Sequence, residues 1–318
     1  MIRDPLCDKD YWDRNVNAHT EHISEMYETI KNPPGNPNYE PQYIYTLSQL
    51  HWMQIIARYS RGDPLDQLAA YFPPLLDAWE RSERLGATVW TPQQNYLRRT
   101  WSVNIDSYST DFWLIAMALC LEIPDDQWQR LLVLVGNAGE DTLLDRLIAS
   151  RSPERHIGRD LCFRRPYGYL LDAIDAPRSA QAEKLKAFLD HWYPDLGHYK
   201  DFAREPQIDP YPFPSWYRYG SPRKIAGGIY HGLWCLEAAV AVKVFNLDDS
   251  LCIGHRYYPS DFAHPHGPRT HPPRPDVLPE PEPAYDGAVE DASRGWLRGL
   301  LDRCLNRSLA KTPGTRRP

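Results

Sequence analysis

The feature that most restricts the fold is an apolar stretch at residues 226–245 that holds a single acidic residue, Glu237. Its apolar residues recur at helical spacing in two sets, so the pattern predicts a helix that neighbouring elements cover on several sides. A carboxylate buried in such a helix needs hydrogen-bonding partners or a proton, because an unpaired buried charge is costly. The two sets are Ile229, Leu233, Leu236, Val240 and Val244, and Tyr230, Trp234, Ala238, Ala241 and Phe245.

The remainder of the chain shows one helical pattern after another and no strand-like alternation. A stripe that steps by four and three residues predicts a helix at 9–31, and it consists of Trp12, Val16, His19, Ile23, Met26 and Ile30. A second helix is predicted at 41–60. Asp63-Pro64 and Thr91-Pro92 each mark a helix start, since proline suits the first helical position. Further helices are predicted at 75–85, 92–103, 107–122, 124–135, 139–150 and 179–193. The fold class is therefore all-α.

Breaks in this pattern predict how the chain is divided. An Arg-rich, irregular segment at 150–179 places a junction between an N-terminal helical domain, 1–150, and a C-terminal helical domain, 151–263. The remaining residues, 264–318, form a Pro-rich tail, expected to be flexible, with one short amphipathic helix at 294–310. A Pro- and aromatic-rich run at 207–222 either packs over the core or projects as a binding loop. We thus expect two packed helical domains and a tail.

Composition narrows the class of protein. The chain of 318 residues has 25% charged and 42% hydrophobic residues, which is ordinary for a globular protein. The N-terminus has no apolar core segment, and the six cysteines are scattered. We therefore expect no signal peptide, no membrane span, reduced thiols and a cytoplasmic location.

The sequence carries few signs of catalysis. It has no Gly-rich phosphate loop, no Gly-x-Ser-x-Gly elbow and no Cys-x-x-Cys pair. His19, His22 and Glu25 share one face of the first predicted helix, but no second helix supplies the glutamates that a di-iron site needs. Three more histidines, His264, His266 and His271, lie in the predicted tail, which does not preorganise a site. We expect no metal, no cofactor and no catalytic residue.

One ordered set of residues at 228–261 resembles a known family. An aromatic-Gly-Trp-Glu-Ala-Ala core is followed by Leu247-Asp248-Asp249-Ser250 and then by Tyr257-Tyr258-Pro259-Ser260-Asp261. This set resembles the C-terminal domain of the PoNi family, bacterial immunity proteins that neutralise polymorphic DNase toxins. A weaker similarity to the partner domain of that family lies at 60–80. We interpret the motif positions as structural, with Ser260 or Asp261 capping a helix: they are Tyr230, Gly232, Trp234, Glu237, Asp249, Tyr258, Pro259 and Asp261.

The resemblance implies an immunity protein, a monomer or dimer, that binds and blocks a cognate secreted DNase toxin, delivered by type VI secretion. Two other interpretations stay open. Glu237 could serve a helical hydrolase or metal-dependent enzyme together with His231 or His255, because burial raises a carboxyl pKa toward the general-acid range. The chain could also be a chaperone or adaptor that loads a toxin.

Charge gives the candidate contact surface. The net charge is -6, and residues 265–318 hold nine Lys/Arg against seven Asp/Glu, so the remainder is more acidic still. Within 104–145 eight carboxylates face one base, Arg130. An acidic surface repels nucleic acid and attracts basic proteins such as nucleases, so we expect no direct nucleic-acid binding. The predicted toxin-binding residues are Asp106, Asp111, Asp125, Asp126, Glu140, Asp141 and Asp145. Solvated helix caps are the plain alternative for them.

Overall fold

A computed structural model describes residues 2–31, 36–198 and 230–265, with Pro214, Trp216, Tyr217, Ile225, Gly227 and Gly228 between them. These residues contain helices and no strand, so the all-α prediction is confirmed. In chain order the α-helices are α1 Lys9–Thr29, α2 Glu40–Arg61, α3 Leu65–Leu68, α4 Phe72–Gly86, α5 Pro92–Arg99, α6 Ile105–Cys120, α7 Asp125–Val135, α8 Thr142–Ala149, α9 Tyr167–Ile174, α10 Arg178–Leu196, α11 Leu236–Phe245 and α12 Ser260–Ala263. Short 3-10 turns lie at Pro37–Tyr39, Ala69–Tyr71 and Trp101–Val103.

Helix α1 follows the predicted stripe. Asp8 caps it by accepting a hydrogen bond from the backbone NH of Tyr11, and the apolar stripe residues are buried, with His19 half-buried. Helix α2 is buried on most of its circumference, so it is a central helix.

The Thr91-Pro92 signal is confirmed, because Thr91 caps α5 and Pro92 is its first residue. After Asp63-Pro64, α3 begins at Leu65 with Pro64 at the N-cap position, so Asp63 does not cap it. Helix α4 begins at Phe72 and not at the predicted residue 75. The local spacing of apolar residues and prolines therefore predicted most of the helices in the first half of the chain.

The central prediction of a helix at 226–245 is half wrong. Helix α11 begins only at Leu236, and residues 230–235 form no regular secondary structure. Gly232 has φ +108, a left-handed conformation that ends any helix and that side-chain-bearing residues avoid. Glu237 therefore stands in the first turn of α11, not in the middle of a long helix. The stretch is apolar because a buried non-helical segment needs apolar residues as much as a buried helix does.

One hydrophobic core joins both halves of the chain. It runs from Trp12 and Trp52 through Trp113 and Tyr167 to Phe262, and a smaller cluster lies between α1, α2 and α4 around Met26 and Leu50. Helix α9 falls inside the segment predicted to be irregular, 150–179, so that segment is partly helical. Aromatic packing dominates the centre, because large rings bury the most apolar surface.

The remaining predictions concern thiols and the C-terminal residues. The five cysteines of the described residues, Cys7, Cys120, Cys162, Cys235 and Cys252, are all buried. Within the same residues, no helix is long and apolar enough to cross a membrane. Most of the run at 207–222, the histidines His266 and His271 and the tail helix at 294–310 lie outside the described residues.

Candidate functional site

The motif that carries the family resemblance is built around Ser60, near the end of α2. The Ser60 hydroxyl donates to the carbonyl oxygen of His231 at 2.9 Å and accepts from the Trp234 indole NH at 2.9 Å. Its carbonyl oxygen accepts the backbone NH groups of Arg3 and Asp4 at 3.0 and 3.1 Å. Ser60 is fully buried, so these bonds are shielded from water. One residue thus ties the N-terminal segment, α2 and the 230–235 segment together.

Tyr230 extends the same network. Its hydroxyl donates to Asp4 Oδ2 at 2.6 Å, and its carbonyl oxygen accepts from the Tyr11 hydroxyl at 2.8 Å. The side-chain amide of Asn15 donates to that carbonyl at 3.2 Å. Burial raises the pKa of Tyr230 well above its ordinary value, so the phenol stays protonated as a donor.

Asp261 completes the network through an ion pair. The Arg3 Nε atom lies 2.7 Å from Asp261 Oδ2, and both side chains are almost fully buried. Arg3 Nη1 also donates to the carbonyl oxygens of Tyr59 and Asp63, at 3.1 and 2.6 Å. The capping role predicted for Ser260 or Asp261 is wrong, because Pro259 precedes α12 and no side chain caps it. We call this connected set the N-terminal clasp, and it consists of Arg3, Asp4, Tyr11, Ser60, Tyr230, Trp234 and Asp261.

Glu237 lies deeper, against aromatic side chains. Its Oε1 atom accepts from the Trp192 indole NH at 3.1 Å and from the Tyr167 hydroxyl at 3.4 Å. Burial raises its pKa to about 7, although hydrogen bonds to the carboxylate oppose the shift. The histidines of the enzyme interpretation have other surroundings: His231 packs on Trp52 with ring centroids 5.9 Å apart, and His255 contacts Asp190 at 3.3 Å. This geometry anchors α11 to α9 and α10.

The last motif carboxylate holds a turn. Asp249 Oδ2 accepts from the Tyr258 hydroxyl at 2.6 Å and lies 2.8 Å from His264 Nε2. Cys235 donates its backbone NH to the Tyr257 carbonyl at 2.8 Å, so the turn is fastened to the start of α11. Asp249 and Tyr258 therefore act within the fold, as the structural interpretation of the motif expects.

Three of the predicted toxin-binding carboxylates are inside the protein. Asp111, Asp141 and Asp145 are at most 3% exposed, so the surface role predicted for them does not fit the structure. Asp111 accepts from the Trp101 indole NH at 2.8 Å, and burial raises its pKa to about 7. These carboxylates were included because charge counting along a sequence carries no information on burial.

Asp141 and Asp145 organise the segment between α7 and α9. Asp141 accepts backbone NH groups from Leu143, Leu144 and Cys162, at 2.8 to 3.0 Å, and so caps α8. Asp145 accepts those of Gly139 and Gly158 and pairs with Arg155 at 2.7 Å. Each carboxylate is satisfied by internal donors, which is the condition for burying a charge.

The other four predicted residues do reach solvent. Asp125 and Asp126 are exposed at the start of α7, while Asp106 and Glu140 are half-buried. Asp125 pairs with Arg151 at 2.6 Å. The structure adds two acids that lay outside the chosen sequence window: Asp77 and Glu80 of α4 both bind Arg130 of α7, at 2.5 and 2.7 Å. The sequence alone does not show that α4 and α7 are neighbours, so these two acids could not be included in the predicted surface. We call Asp77, Glu80, Asp125 and Asp126 the α4–α7 acidic face.

No metal site is evident in the described part of the chain, where no three His, Cys, Asp or Glu side chains converge to hold an ion. His19 and His22 lie near each other, and burial lowers the pKa of His19 to about 3. A neutral imidazole at this position is typical of a packing residue.

The fold and its motif define a helical protein whose polar signature residues are committed to internal contacts. Comparison with known proteins identifies the family. A model of the PoNe immunity protein (PoNi) N-terminal domain matches residues 3–133, and one of the C-terminal domain of PoNe immunity proteins matches residues 139–262. The chain therefore belongs to the family of PoNe immunity proteins, which act against PoNe nuclease toxins.

A solved structure has the same fold. The crystal structure of protein PA2201 from Pseudomonas aeruginosa superposes with a TM-score of 0.59 at 15% identity, over 81% of this chain and 88% of that one. No curated protein matches the chain significantly.

Proposed function

We propose that this chain binds one cognate DNase toxin of the PoNe type directly and blocks it, with no reaction of its own, in the cytoplasm of the cell that makes it. The toxin is one that bacteria deliver into each other, in the type VI secretion class. The observation that carries the proposal is the match of both PoNi domains, which together span 3–262 with a short gap. The internal use of Glu237 and of the motif supports a binding protein over an enzyme.

Charge supports a basic partner. Outside the C-terminal 54 residues the chain has 27 Lys/Arg against 35 Asp/Glu. A nuclease carries positive charge where it holds phosphates, so the α4–α7 acidic face would attract it and speed the encounter. Asp106 and Glu140 stay in the proposed contact surface as half-exposed acids, whereas the buried Asp111, Asp141 and Asp145 leave it.

The proposal is tested by protection and by inhibition. Cells that express the nuclease encoded beside this chain's gene should survive when the chain is co-expressed, and the purified chain should stop DNA cleavage by that nuclease. Survival without physical binding would refute direct inhibition. Increased toxicity or secretion would indicate a loading factor instead.

The electrostatic part has its own test. The double variant Asp125→Lys, Asp126→Lys should slow association with the nuclease about tenfold or more at low ionic strength and much less at 0.5 M salt, because salt screens exposed charges. Glu183→Lys, on the exposed side of α10, is a control for net charge. If Glu183→Lys slows association as much as Asp125→Lys alone does, steering by the α4–α7 acidic face is refuted.

A further inference from the structure

The C-terminal half of α1 reaches the α4–α7 acidic face through an exposed aromatic residue, Tyr27. Met26 of α1 and Ala78 of α4 belong to the same hydrophobic cluster, so α1 and α4 meet beside α2 at this point. Tyr27 and Asp77 are the exposed neighbours of these two buried residues. The carboxylate of Asp77 adds to the rise in the pKa of Tyr27 that burial causes, as expected for two side chains that lie close together.

A buried histidine of α2 fixes the orientation of the Tyr27 ring. The Tyr27 hydroxyl and His51 Nε2 share a hydrogen bond at 3.1 Å, and the two ring centroids lie 6.0 Å apart. His51 is 4% exposed, and burial lowers its pKa to about 4, so it is an uncharged partner at neutral pH. Tyr27 itself is 38% exposed. An aromatic ring that is held in place and open to solvent loses little conformational entropy when a partner covers it.

Asp77 supplies a negative charge that the neighbouring arginine does not balance. Glu80 binds Arg130 through both carboxylate oxygens, with Arg130 Nε and Nη2 at 2.7 and 2.9 Å. Asp77 contacts the same Nη2 atom at 2.5 Å, and its side chain is 67% exposed. Two carboxylates around one guanidinium leave an excess of one negative charge. A second cation at Asp77 is therefore attracted, and Arg130 stays bound to Glu80 when it arrives.

The exposed side of α1 next to Tyr27 is acidic as well. Glu21, Glu25 and Glu28 recur at helical spacing and are exposed. Lys31 pairs with Glu28 at 2.7 Å, which balances one of these three charges. Such a surface repels phosphates and other anions and attracts a basic protein such as a nuclease. Charge complementarity thus identifies a cationic side chain as the group that fits beside Tyr27.

The protein itself shows how a ring and a carboxylate hold an arginine. The Arg58 guanidinium lies over the Tyr71 ring, 4.4 Å from its centroid, and pairs with Asp63 at 3.2 Å. Arginine suits such a place because its planar guanidinium stacks on a ring while its NH groups bind a carboxylate. Tyr27 and Asp77 present the same two groups at the surface.

We propose that Tyr27 and Asp77 form a binding site for an arginine side chain of the cognate nuclease toxin, in which the guanidinium stacks on the Tyr27 ring and pairs with the Asp77 carboxylate. We call these two residues the arginine site. This inference rests on the proposed function and adds to it an aromatic residue that charge counting omits. The α4–α7 acidic face speeds the encounter, whereas the arginine site slows dissociation, because a stacked and partly desolvated ion pair must break when the toxin leaves.

The test measures binding of the full chain to the nuclease encoded by the neighbouring gene, inactivated in its active site. Tyr27→Leu keeps an apolar side chain and removes the ring, and Asp77→Asn removes the charge at nearly constant volume. Each should weaken binding about tenfold, mainly through faster dissociation. The loss should persist at 0.5 M salt, where steering by exposed charges is screened. The double variant should weaken binding about twenty- to thirtyfold, less than the product of about a hundredfold, because both residues hold the same cation.

The matched controls lie on α9 and α10, helices that carry none of the proposed contact residues. Tyr169 is a half-buried tyrosine whose ring stacks on His191, with centroids 4.5 Å apart, and Glu183 is an exposed carboxylate. Tyr169→Leu and Glu183→Gln should change affinity less than about threefold. Tyr27→Phe keeps the ring and should stay within the same limit. If Tyr27→Leu shifts the urea unfolding midpoint, Asp77→Asn decides the test, since Asp77 lies at the surface.

The outcomes separate the two proposals. If the wild-type chain does not bind the nuclease, the proposed function itself is wrong. If the wild type binds and the variants at Tyr27 and Asp77 bind within about threefold of it, the arginine site is overturned while the immunity function stands. Effects that simply multiply in the double variant overturn it too, because the two residues then do not share a cation. Self-association of the wild type that Asp77→Asn abolishes, with toxin binding intact, would also overturn it, because an arginine of a second copy would then be the occupant.

Discussion

The N-terminal clasp makes a quantitative prediction at Gly232. A Cβ atom added there would overlap the Ser60 hydroxyl and lie 2.8 Å from Trp234 Nε1, and the residue has φ +108. Gly232→Ala therefore combines backbone strain with displacement of Ser60 from its two hydrogen bonds. Gly254→Ala is the matched control, since Gly254 has φ +83 and open space where its Cβ would be.

The losses of unfolding free energy in Gly232→Ala and Gly254→Ala should differ only through the steric clash at residue 232. Strain at positive φ costs about 1–3 kcal/mol in either variant, and the small gain from restricting the unfolded chain is common to both. Leaving the buried groups around Ser60 unsatisfied adds about 1–3 kcal/mol to Gly232→Ala only. We expect the free energy of unfolding to fall by about 2–6 kcal/mol for Gly232→Ala and by about 1–3 kcal/mol for Gly254→Ala.

Urea unfolding followed by tryptophan fluorescence measures this difference, because Trp234 belongs to the clasp and Trp192 to the core. A destabilisation of Gly232→Ala that is no larger than that of Gly254→Ala would refute the assigned role of the Ser60 contacts. The stability of the whole fold would then not depend on how the 230–235 segment meets α2.

Two further predictions concern buried charges. Arg3→Met should lower the free energy of unfolding by about 3–5 kcal/mol, because it removes the ion-pair partner of the buried Asp261 carboxylate. Adding Asp261→Leu should recover part of the loss in a double-mutant cycle, whereas simple additivity of the two effects would argue against the pair. The stability of the wild type relative to Glu237→Gln should fall by about 3 kcal/mol as the pH rises from about 4 to 7 and then level off, because the folded pKa of about 7 lies above the unfolded one. Below pH 7 the folded state holds the extra proton, and above pH 7 it loses that advantage. A difference in the unfolding midpoints that does not depend on pH would contradict the raised pKa.

The first helix shows what local sequence determines well. The stripe from Trp12 to Ile30 predicted α1 to within two residues at its C-terminal end, because an amphipathic helix on a core needs that spacing and little else. Proline positions gave helix starts for a similar reason, since the missing NH and fixed φ act locally.

The wrong prediction of a helix over all of 226–245 arose because the structure there depends on contacts with distant residues and not on local sequence. A buried segment without helical structure has the same apolar composition as a buried helix. Gly228 and Gly232, which both have positive φ, were the local signs that the helix could not extend through this stretch. The bonds that hold 230–235 come from Ser60, Tyr11 and Asn15, more than 170 residues away in the chain. No spacing rule reports such partners, so neither Ser60 nor Arg3 was identified as part of the motif.

The motif and the recognition of a partner must therefore reside in different residues. Tyr230, Trp234, Glu237, Tyr258 and Asp261 are at most 3% exposed, so no protein can contact them without unfolding the clasp. These residues specify the scaffold on which the chain resembles its family. Discrimination between toxins must come from side chains that reach solvent, such as those of the α4–α7 acidic face. That face suits long-range attraction of any basic nuclease. Specificity for one toxin should therefore depend on further exposed contacts more than on the charge of this face.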